Sequence, residues 1–231
     1  MRVLLVHGSV GNGDATWAPL RPLAELFELV VPNRGGYPPN PPRDRIDFEE
    51  QAVELAPLLG DGAHLVGHSY GGVIAMLMAA RRLDAVRSLT VSEPPAFGVA
   101  RGNPEVERLV AEMEAFFAAG PYNPADYLRG FLAIVGSAMP LPDPLPPELE
   151  QGARAGQVER PPWEAEIPLD ELAAAPFPKL VVSGAHNAAF DAVCDVLEQR
   201  LGAERAVLPG AGHSLPRAPG YPERLEAFLR S

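Results

Sequence analysis

The chain has 231 residues, 47% hydrophobic and 21% charged, enough to bury a substantial core in one domain, with or without an insertion, and not dependent on disulfide staples. Nineteen Lys and Arg stand against thirty Asp and Glu, a formal charge of −11. A surface this acidic repels phosphate backbones and anionic lipid headgroups, so nucleic acid and membrane are poor partners and a small molecule is the expected ligand.

No apolar run approaches the roughly 18 residues of a membrane-spanning helix. The apolar stretch after Met1 is too short for a signal peptide, and Cys194 is the single cysteine; both point to the cytoplasm. Cys194 sits among Val193, Val196 and Leu197, the setting of a buried filler.

Short β-branched apolar runs alternate with amphipathic helical stretches along the chain, the pattern of a parallel sheet covered on both faces. Strands are expected at Arg2–Val6, Phe27–Val31, Ala63–Val66, Val86–Ser92, Lys179–Ser183 and Arg205–Leu208. Trp17, Leu20, Leu23, Ala24 and Phe27 recur at helical spacing between the first two. Asp47 and Glu50 open a helix that carries Phe48, Ala52, Leu55 and Leu59 inward. The segment Gly71–Arg82 is apolar nearly all round, as a central buried helix is. Helices Phe190–Leu201 and Tyr221–Leu229 follow the last two strands.

The rhythm breaks once, between Phe97 and Glu171. Asn103-Pro104 and Asn123-Pro124 each open a helix there, and a proline-rich connector from Met139 to Pro147 follows. This stretch holds 11 of the 27 prolines, and 13 acidic against 5 basic residues. Another five prolines lie between Pro32 and Pro42, marking a surface loop. The expected organisation is a core of residues 1–96 and 172–231 with a helical cap of residues 97–171.

Directly after the third strand comes Gly67-His68-Ser69-Tyr70-Gly71-Gly72, and then the buried helix. A strand, G-x-S-x-G and a helix form the setting of a nucleophile elbow, whose sharp turn lifts a serine hydroxyl above the sheet edge. A side chain at Gly67 or Gly71 would collide with the neighbouring strand or helix. Ser69 needs an imidazole to take its proton. His213, in Gly210-Ala211-Gly212-His213-Ser214 after the last strand, is expected at the same edge. His7 more naturally shapes the loop after the first strand, His68 is on the elbow itself and is expected to point elsewhere, and His64 and His186 have weak cases.

In these motifs and in their order the sequence resembles the α/β-hydrolase family across nearly its whole length. The resemblance implies an α/β fold, here a compact six-stranded version without the family's first two strands. It further implies a Ser69–His213–acid triad and an oxyanion hole from the backbone N–H groups of Tyr70 and Ser9, with Val10 as the substitute for Ser9. It calls for no cofactor, and neither metal-ligand spacing nor a phosphate loop occurs in the sequence.

The acid departs from the family's usual pattern. Most members carry an aspartate after the fifth of these strands, where Ser183-Gly184-Ala185-His186-Asn187 offers Asn187. Glu93, in Val91-Ser92-Glu93-Pro94 at the end of the fourth strand, is the leading candidate, since some branches, including haloalkane dehalogenases and zearalenone-type lactonases, place their acid there. Asp191 and Asn187 stay open as alternatives. The resulting expectation is a serine hydrolase for a carboxylic ester or lactone of a small, neutral, apolar substrate. The other readings are a non-catalytic binding protein on the same scaffold, motivated by Asn187, and a cofactor-free perhydrolase or carbon–carbon hydrolase.

Overall fold

The computed structural model describes residues 1–210 and 212–231. Six strands, β1 (Arg2–Val6), β2 (Glu28–Val30), β3 (Ala63–His68), β4 (Val86–Ser92), β5 (Lys179–Ser183) and β6 (Glu204–Val207), form one open sheet in the order β2-β1-β3-β4-β5-β6. Every pairing is parallel. Neighbouring side chains on a strand point to opposite faces, and here both faces are covered. Leu4, Val6, Leu65 and Val91 enter one core, while Val3, Leu5, Val66 and Val182 enter the other. This two-sided burial explains why the strands read as continuous apolar runs.

The first core is closed by α2 (Phe48–Leu55), α3 (Tyr70–Arg81) and α8 (Ala188–Leu201), the second by α9 (Tyr221–Leu229) and the segment after β1. That segment corrects the expected single helix across Trp17–Phe27. It is a five-residue helix α1 (Gly13–Trp17) followed by a 3₁₀ helix over Ala18–Glu25. Pro19 and Pro22 lack the N–H groups that a continuous α-helix would use, yet Trp17, Leu20, Leu23 and Phe27 are still buried. Cys194 is fully buried in the first core, and burial pushes its thiol up to about 12.

Between β4 and β5 the chain leaves the sheet through α4 (Pro104–Ala118), α5 (Pro124–Ile134) and α6 (Pro147–Gln157), and α7 (Leu169–Ala174) leads back onto α8. Asn103 and Asn123 accept hydrogen bonds from the amides of Glu105 and Asp126, capping α4 and α5. These helices carry their own aromatic cluster, with Phe116 stacked on Tyr122 at 4.6 Å and Tyr127 on Phe131 at 5.4 Å. Among the described residues, no helix is long and apolar enough to cross a membrane.

Candidate active site

The strand order reverses between β1 and β3, and in open parallel sheets the crevice at the carboxyl ends of the strands beside such a reversal receives ligands. Pairing of Val6 with Gly67, His68 with Ser92 and Ser92 with Val182 brings the ends of β1, β3, β4 and β5 level. The next residues, Gly8-Ser9, Ser69, Glu93 and Gly184, therefore emerge side by side. A Cβ on Gly67 would lie 2.7 Å from the Cα of Gly72, and one on Gly71 would strike the carbonyls of Val6 and His7. Glycine at both positions lets α3 start tight against the sheet.

His213 Nε2 lies 2.9 Å from Ser69 Oγ, and its Nδ1 lies 2.8 Å from Glu93 Oε2. All three side chains are buried. Burial works to raise the Glu93 carboxyl, but the His186 ring beside it and hydrogen bonds from His213 and the Gly184 amide outweigh it and bring the value to about 2. The carboxylate is thus ionised throughout the neutral range. Four non-glycine residues among those described have positive φ: Val10 at 74°, Ser69 at 53°, Glu93 at 42° and Ala185 at 51°. All four lie in the loops at this edge, where the fold holds strained backbone that costs on the order of 1–3 kcal/mol per residue.

The other candidates for the acid are engaged elsewhere. Asn187 caps α8, its side chain accepting from the Ala189 amide, and Asp191 faces Arg205 at 3.6 Å. Neither contacts His213. His186 does reach Glu93, with Nδ1 3.2 Å from Oε1 while Nε2 donates to the Val135 carbonyl at 3.1 Å. Burial opposes its protonation, but the Glu93 charge prevails and raises its pKa. Glu93, His186 and His213 offer atoms of the kind that bind metals, all within 4.8 Å of one another. Both carboxylate oxygens are already engaged, Oε2 by His213 and Oε1 by the Gly184 amide at 2.7 Å. His7 is fully buried and accepts from the Arg34 amide through Nε2 while Nδ1 donates to the Gly8 carbonyl, so it fixes the loop after β1. His68 does not point elsewhere: its ring centre lies 5.1 Å from that of His213 and it lines the cavity at Ser69, held neutral with its pKa lowered by burial to about 3.

A second polar cluster lies beneath the loop after β1. Pro39, Pro41 and Pro42 are exposed, as expected of a surface loop, but within the same stretch Arg34 and Tyr37 are completely buried and form an inner wall. The Arg34 guanidinium lies 4.6 Å from the Tyr37 ring centre and 4.7 Å from that of Tyr70. It donates to Gln51, to the His7 carbonyl and to Glu159, a residue just after α6. Glu159 also accepts from Tyr37 at 2.9 Å and from the Ser9 hydroxyl at 2.5 Å. Backbone pairing of Ile46 with the flanking residues Val158 and Arg160 pins this segment. The helical insertion is thereby tied to the loop that carries Ser9 and Val10.

Two cavities meet at Ser69. The outer one, of about 100 Å³, is lined by His213, His68, Thr16, Ser137 and Met139. The inner one, of about 30 Å³ and more enclosed, is lined by Tyr70, Pro95, Met113, Phe117, Glu159 and Phe190. Ser9, Phe131 and Val135 line both. Of the aromatic residues in the insertion, Phe117 and Phe131 reach the cavities, whereas Phe116, Tyr122 and Tyr127 pack among themselves.

The fold and this edge define an α/β hydrolase. The family model described as the alpha/beta hydrolase family matches residues 3–227, and the chain belongs to that family. It is similar to the lipase LipV of Mycobacterium tuberculosis, with 28% identity over 249 residues that cover 100% of this chain and 92% of the relative. A thermophilic esterase from Thermogutta terrifontis superposes with a TM-score of 0.63 at 24% identity, covering 100% of this chain and 88% of the other. The enol-lactonase from Burkholderia xenovorans LB400 superposes with a TM-score of 0.67 at 20% identity, covering 100% and 91%.

Proposed function

We propose that this enzyme hydrolyses carboxylic esters through an acyl-enzyme on Ser69. The observation that carries the reading is the unbroken hydrogen-bonded chain Glu93–His213–Ser69 on a strained strand-to-helix turn. Similarity to a lipase, an esterase and a lactonase supports the same substrate class. With Asn187 capping α8, the ground for a non-catalytic reading is gone.

In the first half-reaction His213 Nε2 takes the Ser69 proton as Oγ bonds to the ester carbonyl carbon. Glu93 holds Nδ1–H, which keeps the tautomer that can accept at Nε2, and its charge stabilises the imidazolium. The developing oxyanion is met by the Tyr70 N–H, at the first position of α3 where no intrahelical acceptor exists, and by an N–H of the Ser9–Val10 loop. Collapse breaks the carbon–alkoxide bond, and the proton on His213 passes to the leaving oxygen. Water then attacks the acyl group with His213 as its base, releasing the acid and restoring Ser69. The helices of residues 97–171 act as a cap that shelters these steps.

A fluorophosphonate probe tests the reading. It should abolish turnover of 4-nitrophenyl acetate with one label per chain, on Ser69. Ester turnover that survives complete labelling of Ser69, or a protein that turns over esters without being labelled there, would sink the proposal.

A further inference from the structure

The two cavities differ in one decisive respect: His213 lines the outer cavity and is absent from the lining of the inner one, whereas Tyr70 lines the inner one only. Building on the ester reading, we infer that the inner cavity is the acyl pocket and the outer cavity the alcohol site, which makes the substrate class short-chain acyl esters of larger alcohols.

The argument follows the proton. In acylation the bond between the carbonyl carbon and the alkoxide oxygen breaks as His213 Nε2 delivers its proton to that oxygen. The alkoxide must therefore lie within hydrogen-bond reach of Nε2, on the outer side of Ser69. The acyl chain, on the opposite side of the same carbonyl carbon, is directed inward past Tyr70. The water that later attacks the acyl-enzyme needs the same access to Nε2, and the more open cavity vacated by the alcohol supplies it.

Size then sets the acyl length. The inner cavity offers about 30 Å³ against about 100 Å³ in the outer one, so the acyl group is the more confined half of the substrate. Short acyl groups fit, and longer chains meet Met113 and Phe117. Besides the nucleophile Ser69, the polar residues of the wall are Ser9, Tyr70 and Glu159; the Tyr70 hydroxyl donates to the Arg160 carbonyl, and the Glu159 carboxylate is turned to Arg34, Tyr37 and the Ser9 hydroxyl. It therefore presents no free charge to the acyl chain. The outer cavity, about 100 Å³ and open at its mouth, places no comparable limit on the alcohol.

Two ester series measured on the whole protein separate these claims. With 4-nitrophenol constant, kcat/KM should be highest for short acyl groups and fall at least tenfold by eight carbons, since a pocket filled to its limit discriminates by about 10-fold or more per added methylene. With acetate constant, ethyl, benzyl and naphthyl esters should show no such fall. Met113→Ala and, independently, Phe117→Ala should raise the octanoate-to-acetate ratio about tenfold while leaving the order of the acetate series in place. Octanoate turned over as well as acetate, or an acyl preference that moves with Met139→Ala and not with Met113→Ala, overturns the assignment while leaving the ester reading intact. Failure to hydrolyse every ester in both series overturns the two together.

Discussion

Glu93→Gln is expected to lower kcat/KM for a nitrophenyl ester by about 10⁴-fold, the size of the effect when a serine protease's triad aspartate becomes asparagine. The size follows from a hydrogen-bond constraint, because the two carboxylate oxygens are not equivalent. Oε1 accepts from the Gly184 amide at 2.7 Å and Oε2 faces His213 Nδ1 at 2.8 Å. An amide must turn its carbonyl oxygen to the Gly184 N–H, which leaves its NH₂ against Nδ1. His213 can then satisfy that donor only by accepting at Nδ1, with its proton on Nε2, the atom that receives the Ser69 proton in the proposed mechanism. The variant keeps the side chain's shape and loses the working tautomer. Asp191→Asn should retain activity close to wild type, since Asp191 faces Arg205. Near-full turnover in Glu93→Gln would remove Glu93 from the triad.

Arg34→Met is expected to cost about 3–5 kcal/mol of stability, the usual consequence of leaving one partner of a buried ion pair alone. Arg34 is fully buried and Glu159 nearly so, so solvent cannot take over the lost contact. Burial already raises the Glu159 carboxyl above 4.5, against the opposing pull of Arg34, Ser9 and Tyr37. Removing Arg34 raises it further. A carboxyl whose folded pKa exceeds its unfolded one binds its proton more readily in the native state, so stability declines as pH climbs from the unfolded value through the folded one. The deficit of Arg34→Met, measured by urea unfolding, should therefore be larger at about pH 8 than at about pH 5. Adding Glu159→Gln should recover most of it. A loss below about 1 kcal/mol, or one that does not change with pH, would show that the pair is not held as described.

These two clusters differed in how far the sequence disclosed them. The elbow announces itself because strand, glycine, serine and helix are contiguous, and Glu93 is readable because β4 runs beside β3 and ends at the same edge. The Arg34–Glu159 pair spans 125 residues and joins a proline-rich stretch to the segment just after α6. No periodicity links such positions, and the prolines that mark an outer loop, three of them exposed, do not disclose that Arg34 and Tyr37 between them turn inward. His186 stayed hidden for a similar reason, since its contact with Glu93 depends on how the loop before α8 turns. Asn187 carried a local signal: an Asn just before Ala-Ala-Phe-Asp is a sound helix cap, which is the part it plays. The stripe from Trp17 to Phe27 gave the right buried residues with the wrong helix, because Pro19 and Pro22 alter the hydrogen bonding without changing which side faces the core.

Mass spectrometry of protein quenched in acid during turnover of 4-nitrophenyl acetate tests the central claim most directly. One acetyl group should be found on the peptide that contains Ser69, and Ser69→Ala should carry none and turn over no ester above background. An acetyl group trapped at another residue, or a Ser69→Ala variant that hydrolyses the ester at the wild-type rate, would contradict the account.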